Sequence, residues 1–195
     1  MSARSVSIYA NDPTDPEGDR LVAGIEKFSQ HLIMKGDIHA LIHEGRFFST
    51  GLSDVALSGG ASLEILIQAP IGAPLHVRFQ GSMGADASTS FFEGTTFSAA
   101  GAAITPVNRN RRSTNAAGGT WTSGPTITAD GTELFSGVIP GGSGGNAPGA
   151  QAAGFQEWIL GSGVNYLARI TNLTGQAQVA NLEIDFYDTG LTAYA

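Results

Sequence analysis

The sequence predicts an all-β protein: an antiparallel two-sheet sandwich, jelly-roll-like, with an N-terminal arm and one short helix. The clearest sign is alternation late in the chain. Val164, Tyr166, Ala168 and Ile170 share one face of a segment. In the next segment, Ala180, Leu182, Ile184 and Phe186 lie opposite Asn181, Glu183, Asp185 and Tyr187. A period of two over this length is a strand with one buried and one wet face. The same pattern recurs through most of the chain between closely spaced turn signals, which is the signature of a sandwich. Composition agrees: 27 glycines and a charged fraction of 14% suit strands joined by long loops.

At 195 residues the chain is long enough to bury a core without staples. It divides into an arm and helix at 1–36 and a sandwich domain at 37–195. The formal net charge of −7 opposes nucleic-acid binding over a broad surface. The absence of cysteine removes disulfides, thiol catalysis and thiolate metal sites together. No run approaches the ~18 apolar residues of a membrane span. The first residues lack the apolar core of a signal peptide, so a soluble protein is expected.

Taken in order, Val6-Ser7-Ile8-Tyr9 leads into a stretch with Asp12, Pro13, Asp15, Pro16, Glu17 and Asp19. Two prolines exclude helix and central strand, so this reads as an arm that docks on a partner through Ile8, Tyr9, Asp12 and Asp15. The acids lack the spacing of a calcium loop. Asp19 then resembles an N-cap, and Leu21, Ile25, Phe28 and Leu32 fall on one helical face ended by Gly36. Ile38, Ala40 and Ile42 alternate as a strand, and Arg46 to Ser49 returns after a turn at Glu44-Gly45. Strands are expected around Val55–Leu57, Leu63–Ile67, Leu75–Phe79 and Ser88–Phe92. Residues 97–124 and 140–154 read as long loops. Between them, Thr126–Thr128 and Leu134–Phe135 flank an Asp130-Gly131 turn, and Phe155–Leu160 joins the last sheet.

No constellation predicts catalysis, a metal or a cofactor. Gly141-Gly142-Ser143-Gly144-Gly145 matches a nucleophile-elbow pattern but lacks the following helix and the parallel sheet that the elbow requires. His39 and His43, read as strand residues, stand about 13 Å apart and cannot share an ion, and His76 lies on another strand. Arg109, Arg111 and Arg112 form a basic cluster in an acidic chain, suited to binding carboxylates of a neighbouring subunit. Trp121, in a polar stretch, is the candidate for stacking on a glycan; Trp158, Phe47 and Phe48 read as core. Asn172-Leu173-Thr174 is a sequon that reads as a turn.

Several segments, in order, resemble structural proteins of tailed bacteriophages. They are Ile38 to Phe48, Ile65-Leu66-Ile67-Gln68-Ala69-Pro70, Leu75-His76-Val77-Arg78-Phe79, Phe91-Phe92-Glu93-Gly94, Thr105 to Arg111, and Tyr166 to Asn172. Together they span roughly residues 38–187, and the arm is outside the resemblance. The resemblance implies a small β-rich virion protein, a capsid decoration or cement protein. Such a protein is made in the host cytoplasm and seated on the outer capsid surface. Its partners would be the major capsid protein and its own copies, as a homotrimer or homodimer. A receptor- or carbohydrate-binding head-fibre or tail component is the alternative. The resemblance implies no catalytic residues.

Overall fold

A computed structural model describes residues 23–25, 32–34, 37–141, 150–152 and 157–188. The regular elements among the described residues are antiparallel strands and one short helix. β1 (Ala23–Ile25) and β2 (Leu32–Met34) pair with each other, and α1 spans Asp37–His43. The long strands are β3 (Phe47–Leu57), β4 (Ser62–Gln68), β5 (Leu75–Met83) and β6 (Ala87–Glu93). Then come the short strands β7 (Thr96–Ala99), β8 (Ala102–Ala103), β9 (Val107–Asn108), β10 (Thr120–Ser123) and β11 (Thr126–Ala129). The chain continues as β12 (Thr132–Ile139), β13 (Ala150–Ala152), β14 (Trp158–Ile159), β15 (Asn165–Asn172) and β16 (Gln178–Asp188).

Pairing defines the topology. One sheet runs β12-β6-β15-β4-β10-β8; the other runs β13-β5-β16-β3-β9, with β14 also on β5. Without β7 to β11, the two sheets are β4-β15-β6-β12 and β3-β16-β5 with β13 and β14. Apart from the β6–β12 pair, which stays in one sheet, successive strands cross between the sheets in the order of an eight-stranded jelly roll, so the expected sandwich is the observed one.

The alternation sets the core. β5 switches strictly between buried and half-buried positions, so Leu75, Val77, Phe79 and Met83 point inward and His76, Arg78 and Gln80 outward. Tyr166, Ala168 and Ile170 from β15 meet Leu182, Ile184 and Phe186 from β16 in the same cluster. Tyr166 has no solvent exposure to speak of; its hydroxyl donates to Glu93 Oε1 at 2.7 Å and accepts from the Gly161 amide. Burial, followed by the Glu93 carboxylate, pushes the phenol up to about 12.

The segment between β6 and β12 is a folded ribbon. β6 pairs β12, β7 pairs β11, and β8 pairs β10, one inside the next. β7 and β11 pair only with each other, whereas β10 returns to the first sheet beside β4. The ribbon therefore leaves the sheet at β6–β12 and rejoins it beyond β15 and β4. The expected 97–124 loop is thus partly stranded. The Asp130-Gly131 step does not close a hairpin between β11 and β12; it is where the ribbon bends. Gly131 takes φ 91° there, and a Cβ would lie 2.1 Å from the Glu93 carbonyl oxygen.

Two expectations near the start are overturned. The helix read between Asp19 and Gly36 is replaced, in its described parts, by β1 and β2. Gly24 costs a helix about 1 kcal/mol, and Ile25 and Ile33 are β-branched. The strand read over Ile38–Ile42 is instead α1. Ile38, Leu41 and Ile42 stand at i, i+3 and i+4, a helical face that the seven-residue window equally allows. Its end is well specified. Gly45 donates to the Ile42 carbonyl and Arg46 to the Leu41 carbonyl, with Gly45 at φ 70°, the pattern of a Schellman cap.

Candidate functional site

The outer face of β3, β16 and β5 gathers most of the polar chemistry. Strand register places Phe47, Tyr187 and His76 side by side across the three strands, and Ser49, Asp185 and Arg78 in the next row. The first row is a stack: Tyr187 lies 6.1 Å from Phe47 and 4.6 Å from His76 between ring centroids. Phe47 is buried although it points away from the main core. The Arg109 guanidinium covers it, 5.1 Å from the ring centroid.

At one end of this face, Arg109 Nη2 reaches both oxygens of Asp185 at 3.1 Å, and its Nε donates to Ser49 Oγ at 2.7 Å. The Ser49 hydroxyl in turn donates to Asp185 Oδ1 at 2.6 Å. Beside this triplet runs an open groove of about 370 Å³, lined by Ser49, Thr50, Ser53, Arg109, Glu183 and Asp185 among others. A serine held between a carboxylate and a guanidinium has a hydrogen-bonding role there. The groove offers carboxylate and hydroxyl acceptors and a guanidinium edge to a polar ligand.

At the other end, Glu157 is a hub. Its carboxylate accepts from the Tyr187 hydroxyl, from Arg78 Nε at 2.8 Å and from Arg78 Nη2, and pairs with His76 Nδ1 at 2.8 Å. Burial pushes the carboxyl upward. The bonds from Tyr187, His76 and Arg78 together outweigh it and hold the group below its usual range. This hub fixes the segment entering β14 against β5 and β16.

The outer face of the first sheet carries a third cluster. Arg169 Nε donates to Glu64 Oε1 at 2.6 Å, and its Nη1 and Nη2 donate to the two oxygens of Asp130 at 2.9 and 2.8 Å. The guanidinium also lies 5.3 Å from the Phe92 ring centroid. Phe92, Leu167 and Leu66 stand in register and are buried, outside the main cluster, on the face that the ribbon crosses. The Arg169 hydrogen bond, with its charge, lowers the Asp130 carboxyl. Asp130 likewise raises Arg169.

The expected site residues fare unequally. Ile8, Tyr9, Asp12, Asp15 and Ser143 lie outside the described residues. Arg109 is bound to its own Asp185 while its side chain stays exposed. Arg111 and Arg112 are exposed, and among the described residues neither has an ion-pair partner. Trp121 is 2% exposed, which overturns its reading as a glycan platform. Its partner strand β4 turns it inward, where it stacks on Phe186 and donates Nε1–H to the Gly118 carbonyl at 2.9 Å. Trp158 packs against the core, as expected.

The sequon asparagine is fully buried. Asn172 Nδ2 faces the carbonyls of Leu57, Ser58 and Gln176, and Oδ1 accepts from both the Thr174 amide and hydroxyl. It is a turn keystone with no room for a sugar. The reading of His39 and His43 as mutually remote is also overturned. On α1 their Nε2 atoms are 2.9 Å apart. Sequence reasoning missed the Glu157 hub and the Arg169 cluster. Only the outward phase of His76, Arg78 and Tyr187 was readable.

The fold and these clusters define a jelly-roll protein whose sheet faces are laced by internal ion pairs. No protein-family model matches the chain, and a search of curated proteins found no match.

Proposed function

We propose that the chain is a non-enzymatic structural protein of a tailed-bacteriophage virion. In this reading it decorates the outer capsid as a homo-oligomer and cements neighbouring capsomers of the major capsid protein. The resemblance over residues 38–187 supports this, and jelly rolls recur in viral capsid domains. The observation that carries the docking surface is the connection after β9. Together with Val107 of β9 it exposes Arg111 and Arg112, while the neighbouring Arg109 is tied to Asp185. Unpaired guanidinium groups beside an exposed apolar side chain suit an acidic patch on a shell subunit. Symmetric seating multiplies such weak contacts.

Pelleting purified protein with expanded and unexpanded capsid shells that lack it tests the reading. Saturable binding to expanded shells at a fixed ratio to the major capsid protein is expected. Deletion of residues 1–19 is expected to lower occupancy if the arm docks. Absence of binding to either shell defeats the decoration role.

A second reading, receptor or carbohydrate binding by a head-fibre or tail component, draws on the groove beside Arg109, Asp185 and Glu183. Its volume of about 370 Å³ falls in the range of small-ligand clefts, and its lining is polar. A glycan array tests it, with Glu183→Ala as the variant expected to lose any signal.

A further inference from the structure

We propose that His39 and His43 form a binding site for one transition-metal dication of the copper, nickel and zinc group. The two residues stand one turn apart on α1, and both are exposed. Their ring centroids are 4.5 Å apart while their Nε2 atoms are only 2.9 Å apart, so the nitrogen ends of the rings converge. A neutral imidazole nitrogen is the common protein ligand for these metals.

The spacing also selects geometry. A metal about 2.0–2.1 Å from each nitrogen, bridging this gap, subtends about 90°. That is the cis angle of square-planar and octahedral coordination, favoured by copper(II) and nickel(II). Tetrahedral zinc needs the nitrogens at a wider separation, which a small change in either side-chain torsion supplies. Among the described residues no third His, Asp, Glu or Cys joins the pair. The remaining positions on the metal fall to water or to a second molecule.

The helix is held in place without the metal. Asn110 Nδ2 donates to the His43 carbonyl at 2.9 Å, Asn115 Nδ2 donates to the Glu44 and Gly45 carbonyls, and Gly45 caps the helix. The imidazoles are thus displayed from a fixed turn, which lowers the ordering cost of chelation. The competing account is a plain N–H···N hydrogen bond between the two rings. That bond is solvent-exposed and contributes little; on metal binding the donor ring changes tautomer, its proton passing through solvent to its own Nδ1, so that both Nε2 lone pairs face the metal.

The test titrates copper(II) ion alone into the full chain in a non-coordinating buffer, read by electron paramagnetic resonance. One copper per chain with a two-imidazole nitrogen signature is expected. His39→Ala and His43→Ala are each expected to weaken binding by at least about tenfold, because each turns a chelate into a single contact. His31→Ala and His76→Ala are expected to bind as the parent does. Both target side chains are exposed, so these substitutions remove no core contact. Copper binding equal to the parent in both α1 variants, or no copper binding by the parent, overturns the proposal.

Discussion

Trp121 lies flat on Phe186, ring centroids 4.1 Å apart and planes inclined by 22°. The contact joins β10, at the inner end of the ribbon, to β16, the central strand of the opposite sheet. It is where the ribbon becomes part of the core. Trp121→Ala is expected to cost about 3–5 kcal/mol, measured by equilibrium denaturation, as expected for truncating a buried aromatic. Trp121→Phe should recover much of this. A loss under about 1 kcal/mol would mean the ribbon is not integral to the core.

Arg169 binds the ribbon to β15 and β4 through Asp130 and Glu64. Arg169→Met removes the cation and leaves two carboxylates side by side, both partly shielded from water. An expected cost of about 1–3 kcal/mol reflects that partial exposure. Restoring stability by adding Asp130→Asn and Glu64→Gln would show that repulsion is the cause.

The Arg169 cluster and the Glu157 hub both make stability depend on acid. The Asp130 carboxyl titrates lower in the folded chain than its ordinary 3.8, and Glu157 lower than 4.5. Below those ordinary values the unfolded chain binds more protons than the folded one, so stability falls as pH drops through this range. At neutral pH the full contribution is present. Melting temperature measured from neutral to about pH 3 should decline, and Asp130→Asn should flatten part of the decline. An unchanged slope in that variant would assign the acid sensitivity elsewhere.

Asn172 satisfies three backbone carbonyls from one amide. Asn172→Ala strands the buried Leu57 carbonyl and loosens the turn, and should cost about 1–3 kcal/mol. Asn172→Asp should cost more at neutral pH, because an ionised carboxylate faces the same oxygens, and should partly recover in acid. Urea melts at two pH values distinguish the cases; equal stability of Asp and Asn at neutral pH would contradict the buried bonding.

At Gly81 the two sheets approach closely. A Cβ there would meet the Thr89 methyl at 2.5 Å and Ile170 Cδ1 at 3.1 Å. Gly81→Ala is therefore expected to overpack and cost about 1–3 kcal/mol. Thr89→Ser combined with it should recover part of that loss by removing the methyl.

The long strands were legible because one face of each is buried and the other is wet, as in Leu75 to Phe79 and Ala180 to Tyr187. The sandwich followed from them. The first elements were misread because their windows are short. Leu21, Ile25, Phe28 and Leu32 fit a helical stripe, and Ile38, Ala40 and Ile42 fit a strand, but neither pattern runs long enough to exclude the other period. Trp121 was misread because its neighbours Thr120 and Thr122 suggested water, whereas its burial depends on pairing with β4, more than fifty residues earlier. The Glu157 hub joins residues 76, 78, 157 and 187, and no local pattern signals such a meeting. The His39–His43 pair shows how the element type alone decides whether two side chains touch.

β15 and β16 occupy the middle of the two sheets. β4 and β6 meet only through β15, and β3 and β5 only through β16. A ribosome delivers these keystones after every strand they join. Emerging β3 to β6 can pair early only with the flanking β9, β10, β12, β13 and β14, and cannot be joined to one another within their sheets until residues 165–188 follow. Folding is thereby timed to late synthesis, and a chain cut short before β15 can complete neither sheet. Such an order favours slow, all-or-none closure, since its contacts span long stretches of sequence. It also keeps half-made copies from presenting a finished surface to any assembly.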